Sequence, residues 1–171
     1  MEFFKQRVIK YFIALVVGCL LVTSVGCTST SDVDILPTVT TVTDITDELL
    51  QVEYTDDRWF DHWQNPQETW RKMSGDCEDY ALLAVELLRQ IGIEGNILVV
   101  NCKPKYPMGN HAVCVFKDDD LTGGTYWFWS NAILRKTELT DIQDVVYRVR
   151  HKSWIKSWKL IGSDGKVIRN G

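Results

Sequence analysis

The stretch GDCEDYALLAVELLRQIGI, residues 75–93, decides the fold. Its apolar side chains recur at helical spacing and share one face of a helix: Tyr80, Ala81, Ala84, Leu87, Leu88 and Ile91. Asp76 stands where an N-cap residue belongs, and Asp79 is placed to complete the cap and to favour the positive end of the helix dipole. Gly92 supplies the stop. The sequence therefore predicts a helix that begins at Cys77 and buries one face.

Segments rich in β-branched and apolar residues follow this helix. Asn96–Cys102 and His111–Phe116 flank a loop that contains Pro and Gly, and we expect them to pair as an antiparallel hairpin. Thr125–Asn131 and Val145–Arg150 are two further candidate strands, and the turn Ser163–Lys166 predicts a terminal hairpin. An antiparallel sheet facing the helix is the simplest packing, so the predicted fold class is α+β.

A shorter helix is predicted upstream. Asn65 is an N-cap residue, Pro66 takes the first helical position and Glu68 follows two positions later, which is a capping-box-like start. We expect this helix to run through Met73 and to deliver the chain to Gly75.

Composition limits the class of protein. The 171 residues are 45% hydrophobic and 25% charged, which is typical of one globular domain with a sizeable core. The net charge is -4, and removal of a leader that carries three basic residues and one acid leaves -6. A nucleic-acid-binding protein needs the opposite sign, so we expect no nucleic-acid partner.

The N-terminus has the layout of an export signal. A basic stretch ending at Lys10 is followed by the apolar run Tyr11–Val22 and then by small residues. That run has 12 residues, fewer than the ~20 that span a bilayer, so cleavage is favoured over a membrane span.

The cleavage region is similar to a bacterial lipobox, in which a Cys is acylated after the cut. Ser24 stands where Leu is more usual, so cleavage without lipidation is the alternative to acylation of Cys27. The predicted organisation is a signal peptide at 1–26, a lipidated Cys and flexible tether at 27–43, and a domain at 44–171. The expected location is outside the cytoplasm, lipid-anchored to the cell membrane or outer membrane.

Two residues fit thiol chemistry. A thiol attacks as its thiolate, and a helix N-terminus beside a His favours that form. Cys77 stands at such a helix start, although the neighbouring acids oppose the thiolate if they face the sulfur. His111 begins a strand, with Val113 and Val115 on its face and Ala112 on the other. If the His111 face meets the helix, the imidazole can act on Cys77 as general base and then as acid.

Four blocks together resemble the transglutaminase-like superfamily, most of all its bacterial cysteine proteinases. They are GDCEDYALLAVELLRQIGI, the preceding WQNPQETW, HAVCVF and the aromatic strand after it, over Trp59–Asn131. The resemblance implies a papain/transglutaminase-like core, in which a Cys-bearing helix packs on an antiparallel sheet that supplies His and then Asp. It also implies that Cys77 is the nucleophile and His111 the base.

The third catalytic position departs from the family. Where the family usually has Asp followed by Asn, this chain has Ser130 followed by Asn131. An Asn can orient the imidazole by a neutral hydrogen bond, as in papain-like enzymes, so we favour Asn131 over Ser130. Strand alternation nevertheless places the two on opposite faces unless the strand ends or bulges there. Weaker support of His111 is compatible with a slow enzyme or a pseudoenzyme.

Two further expectations concern a metal ligand set and an oxyanion donor. Some family members bind calcium through acids flanking the Cys, which match Asp76 and Glu78, with Asp79 nearby; helix capping is the alternative. Gln64 is a candidate oxyanion donor beside the Cys77 backbone N–H, the alternative being a surface Gln.

Outside this site, two groups have plainer interpretations. Cys102 and Cys114 are expected as core thiols, with a disulfide as the alternative that export allows. Asp118–Asp120 is expected to be a solvated turn.

These patterns predict a membrane-anchored thiol hydrolase. The expected activity is that of a cysteine peptidase that acts on an envelope or extracellular protein through an acyl-enzyme and requires no cofactor. Transglutaminase or amidase chemistry would use the same intermediate. The alternative is a catalytically weak or inactive lipoprotein that binds a peptide or glycan.

Overall fold

The computed structural model describes residues 36–56, 62–106 and 109–171. The predicted signal peptide and the predicted lipidation site Cys27 lie outside these residues. The helices are α1 Val42–Leu49, α2 Pro66–Lys72, α3 Cys77–Gln90, α4 Asp119–Thr122 and α5 Ile142–Val149. The strands are β1 Glu53–Tyr54, β2 Ser74–Gly75, β3 Gly95–Cys102, β4 His111–Lys117, β5 Tyr126–Ser130, β6 Ile133–Arg135, β7 Ile155–Ile161 and β8 Val167–Asn170. No helix in these ranges is long and apolar enough to cross a bilayer.

A six-stranded antiparallel sheet forms the centre of the domain, in the order β6-β5-β4-β3-β7-β8. The predicted hairpin is confirmed as β3–β4, in which Val100 lies opposite His111. The predicted third strand is confirmed as β5, and the terminal hairpin as β7–β8. Strands β1 and β2 form a separate parallel pair beside the start of α3. The fold class is therefore α+β, as predicted.

Helix α3 covers one face of the sheet. Its N-cap is Asp76, and its apolar stripe is buried together with one face of β4. That face of β4 consists of Ala112, Cys114 and Phe116, and Trp129 of β5 stacks on Phe116 at a centroid distance of 4.9 Å. The predicted Cys-bearing helix and its packing on the sheet are confirmed.

Helix α5 covers the opposite face, and here the prediction of a strand over Val145–Arg150 is wrong. Asp141 caps a helix by accepting a hydrogen bond from the Gln143 backbone N–H at 2.7 Å. Ile142, Val145 and Val146 follow helical spacing and pack against Val113, Val115 and Phe128 in a second core. The β-branched residues suggested a strand, but burial of this helical stripe outweighs their weaker helix propensity.

The sequence predicted that the domain begins at Asp44, but packed structure begins a few residues earlier. Thr41 caps α1, and Val39 is only 4% exposed within the core beneath α3. The last residues of the predicted tether therefore belong to the packed domain. Asp118 also differs from its prediction as part of a solvated turn, because it caps the single-turn helix α4 through the Leu121 backbone N–H.

Candidate active site

The start of α3 is held in place by the carboxylate of Asp79, which is fully buried. Its oxygens accept hydrogen bonds from the Gln64 backbone N–H and the Gln64 side-chain amide, both at 2.7 Å, and from the Asp76 backbone N–H at 3.1 Å. Gly75 makes this approach feasible, because a Cβ there would lie 2.6 Å from the Asp79 Cβ. Asp79 therefore connects the segment before α2 to the first turn of α3.

The structure supports neither of the two roles that the sequence suggested for Gln64, an oxyanion donor or a surface residue. It is 5% exposed, so it is not a surface residue. Its amide donates to Asp79 and, at 3.4 Å, to the Ser74 carbonyl. Because this amide is committed to orienting Asp79, the structure gives no support to Gln64 as an oxyanion donor.

Cys77 occupies the first position of α3 and is half-buried. The backbone N–H of Ala112 hydrogen-bonds to its sulfur, which places the sulfur against the peptide bond that joins His111 to Ala112. The β4–β5 ladder ends at the pair Cys114 and Trp129. The backbone of β4 before Cys114 is therefore not paired with β5, and the Cys77 sulfur can contact it there. The helix start thus brings Cys77 next to the backbone of His111.

The environment of Cys77 stabilises the thiol rather than the thiolate. The pKa of Cys77 is raised to about 12, chiefly by burial and also by the Glu78 and Asp76 carboxylates, against the lowering effect of the Ala112 N–H. The thiol donates a hydrogen bond to Glu78 Oε2 at 3.0 Å. The helix N-terminus was expected to favour the thiolate, but desolvation and two nearby carboxylates outweigh it.

We predict that Glu78→Gln increases the reactivity of the Cys77 thiol. The substitution removes the negative charge that raises the pKa of Cys77 while keeping an oxygen that can accept the thiol hydrogen bond. We expect roughly tenfold faster alkylation by iodoacetamide at pH 8, which corresponds to about 1.4 kcal/mol in favour of the thiolate.

The control for this prediction is Glu86→Gln on the same helix, because Glu86 pairs with Arg89 at the surface. It should leave the alkylation rate of Cys77 unchanged. An equal rate in the Glu78→Gln and wild-type proteins from pH 7 to pH 10 would contradict the assigned role of Glu78.

His111 is buried at the start of β4, and its Nε2 lies 2.8 Å from Ser130 Oγ. The pKa of His111 is lowered to about 4, chiefly by burial and also by the positive charge of Arg150. At neutral pH the imidazole is therefore uncharged. Because Nε2 is engaged by the Ser130 hydroxyl, Nδ1 is the ring nitrogen left to exchange a proton with another group.

The structure selects Ser130, not Asn131, as the residue that contacts His111. Ser130 is the last residue of β5, and Asn131 has a left-handed backbone with φ 53° in the turn to β6. Among the described residues, the buried Asn131 Oδ1 has no hydrogen-bond partner. The preference for Asn131 is thus not supported, because the strand ends at Ser130 and the turn carries Asn131 away.

The face of β4 that packs against α3 is the Ala112 face, and not the His111 face that base catalysis was predicted to need. Val113 and Val115, which alternate with His111, pack towards α5, whereas Ala112 packs towards α3. The Cys77 sulfur reaches β4 at its edge, through the Ala112 backbone N–H, rather than at the face that carries the His111 side chain. Sequence reasoning also missed Arg150, because its approach to His111 depends on α5 being a helix.

The acids around Cys77 do not form a calcium site by themselves. Ligand atoms of Asp76, Cys77 and Glu78 lie within 4.8 Å of one another, but Asp79 is committed to Gln64 and Asp76. Calcium takes six to eight oxygen ligands, whereas this cluster offers two carboxylates and a thiol. The described residues therefore offer only part of a calcium coordination shell, and the calcium that the resemblance implied stays a prediction.

The two other described cysteines agree with their interpretation as core thiols. Cys102 and Cys114 are buried and free. Cys114 packs beneath α3, while Cys102 ends β3. The alternative of a disulfide between them is wrong.

Comparisons with known proteins bear on the family of this chain. The solved structure of calcium-bound Legionella pneumophila LapG aligns with a TM-score of 0.45 and 19% identity over 55% of this chain and 55% of that one. No curated protein sequence matches the chain. The family model of the transglutaminase-like superfamily matches residues 28–130, more than half of the chain, and this range includes Cys77, His111 and Ser130. The chain therefore belongs to the transglutaminase-like superfamily.

Proposed function

We propose that this protein is a cysteine peptidase whose nucleophile is Cys77 and whose general base is His111. The observation that carries the proposal is the contact of the Cys77 sulfur with the His111–Ala112 peptide bond, together with the hydrogen bond between His111 and Ser130. Family membership supports the same assignment, since the matched range contains all three residues.

The resting site is neutral in this mechanism. With a thiol pKa of about 12 and an imidazole pKa of about 4, neither side chain carries charge at pH 7. Nε2–H donates to Ser130 Oγ, and Nδ1 accepts the thiol proton as the sulfur attacks the carbonyl carbon of the scissile bond. Proton transfer and attack are therefore coupled rather than preceded by a stable thiolate.

The remaining steps return the enzyme to its starting state. The imidazolium gives its proton to the leaving amine, the carbon–nitrogen bond breaks, and a thioester forms on Cys77. His111 then takes a proton from water, which attacks the thioester, and the imidazolium returns that proton to the departing sulfur. The backbone N–H groups of the first turn of α3 have no partner within the helix and are the candidate donors to the oxyanion. No step requires a metal or cofactor.

The location and partners belong to the same proposal. The basic and apolar leader, followed by Ser24–Cys27, supports export and lipid anchoring at Cys27. An anchored peptidase would act on an envelope or extracellular protein, and the acidic net charge of -4 disfavours a nucleic-acid partner.

A specific observation favours a second function, that of a non-catalytic binding protein. Ser130 gives His111 a neutral partner in place of a carboxylate, and Glu78 holds the thiol proton. A protein that binds a peptide or glycan without reaction needs neither an activated thiol nor a basic imidazole.

The class of product distinguishes the candidates. We expect incubation with cell-envelope extract to create new protein N-termini, detected by terminal-amine labelling and mass spectrometry. The control is the same protein after complete alkylation of Cys77. New isopeptide cross-links or deamidated Gln residues without new N-termini would assign transglutaminase or amidase chemistry, and no product at all would assign the binding function.

A further inference from the structure

A cavity of about 720 Å³ opens on the α5 side of the sheet, next to the candidate active site. Its wall includes Phe128 and Leu134 of β5 and β6, and its lining reaches Ser130. This volume falls within the range of about 300–1,000 Å³ that is usual for ligand sites. We call this space the basic cavity, because of the charges described next.

Three of the residues that line the basic cavity are cationic, namely Arg135, Lys136 and Arg148, and none is acidic. The chain as a whole has a net charge of -4, so this concentration of positive charge is local. Among the described residues, none of the three forms an ion pair, and Lys136 lies over the Trp127 ring at 4.5 Å. The charges of Arg135 and Arg148 are therefore available to an anionic ligand, whereas the Lys136 ammonium lies over Trp127, which packs against the core on the α3 side.

Ser130 joins the basic cavity to the candidate active site. Its hydroxyl contacts His111 Nε2 at 2.8 Å, and the same residue lines the cavity. Arg148 lies two positions before Arg150, whose charge acts on His111. A ligand in the cavity would thus lie beside the catalytic imidazole and on the side of the sheet away from α3.

We infer that the basic cavity binds a carboxylate-bearing segment of the substrate, so that the peptidase selects peptides with Asp or Glu near the scissile bond. This inference rests on the proposed function. Arg135 and Arg148 provide planar guanidinium groups that pair with carboxylates in bidentate geometry. Phe128, which lies on the α5 side of the sheet, borders these guanidinium groups.

The size and lining of the cavity favour an acidic peptide over a small inorganic anion. A single phosphate would occupy only a small part of 720 Å³. An extended peptide can fill more of this space and present carboxylates to both guanidinium groups.

The test measures binding and turnover separately. Binding is measured by fluorescence anisotropy on full-length Cys77→Ala protein, with a labelled peptide of alternating Glu and Gly and its counterpart in which Gln replaces Glu. We expect the Glu peptide to bind at least roughly tenfold more tightly, a difference of about 1.4 kcal/mol, and its affinity to fall as salt is added.

Charge reversal locates the site. Arg135→Glu with Arg148→Glu should weaken binding of the Glu peptide by roughly tenfold or more. Lys159→Glu on β7 is the matched control, because Lys159 is exposed and outside the cavity, and it should change affinity by less than about twofold. Thermal unfolding of each variant shows whether the domain is intact.

The outcomes separate the two proposals. Equal affinity for the Glu and Gln peptides, equal loss in the Lys159→Glu control, or tighter binding of inorganic phosphate than of the Glu peptide would overturn the inference. Selective binding without hydrolysis by the wild-type protein would retain the cavity and reject the peptidase. Hydrolysis in which the double charge reversal leaves the KM for an acidic substrate unchanged would retain the peptidase and reject the cavity.

Discussion

Cys77→Ala is expected to abolish hydrolysis and to prevent formation of any covalent intermediate. Alanine lacks the sulfur that attacks the scissile carbonyl in the proposed mechanism, and no other described cysteine is exposed enough to replace it, since Cys102 and Cys114 are buried. Intact-mass spectrometry after an acid quench should detect the acyl adduct on the wild-type protein and none on the variant. Turnover should fall to background, a larger effect than that of removing any other side chain in the site.

Folding should survive this change, because Cys77 lies at a helix start and is only half-buried. Cys102→Ala is the matched control, since it removes a thiol near the end of β3 and should leave turnover unchanged. Full activity of Cys77→Ala, with a melting temperature equal to that of the wild type, would reject Cys77 as nucleophile.

His111→Gln is expected to reduce turnover by roughly a hundredfold to ten-thousandfold, the usual contribution of a positioned general base. Gln can still hydrogen-bond to Ser130, but it cannot accept the proton of a thiol whose pKa is about 12. The control is His151→Gln, because His151 is exposed and hydrogen-bonds to Ser153. That variant should hydrolyse substrate at the wild-type rate.

The pH profile of the wild type gives an independent test of His111. The imidazole must be neutral to act as base, and its pKa is lowered to about 4, so activity should persist below pH 6 and fall to half near pH 4. An ordinary His would lose activity near its usual pKa of 6.5. A half-maximal point near 6.5 for kcat/KM would contradict the buried, Arg150-influenced environment of His111.

The third catalytic position illustrates the limit of a family pattern. The sequence showed that the usual Asp is replaced and that Ser130 and Asn131 cannot share a strand face. It could not show where β5 ends, because that depends on the register with β4 and on the left-handed conformation of Asn131. The ladder geometry leaves Ser130 beside His111.

The roles of Asp79 and Gln64 were also ambiguous in the sequence. Asp79 was both a cap and a possible metal ligand in the sequence argument, and Gln64 was both a surface residue and a candidate oxyanion donor. Their mutual hydrogen bonds at 2.7 Å resolve the two questions together. The partners are 15 residues apart, so no local pattern reveals the pairing.

Three features could be predicted from local periodicity and capping in the sequence. These are the helix that begins at Cys77, the β3–β4 hairpin that carries His111, and the order of both along the chain. Such features are readable because the residues that decide them are neighbours in sequence.

Three outcomes could be seen only in the folded domain: Val145–Val149 is helical, the Cys77 sulfur meets the Ala112 N–H at the edge of β4, and the thiol is held neutral. Each of these outcomes depends on burial and on charges from distant segments. The pKa of Cys77 shows this most clearly, because its helix-start position favours the thiolate while desolvation and the Glu78 and Asp76 carboxylates together reverse that preference.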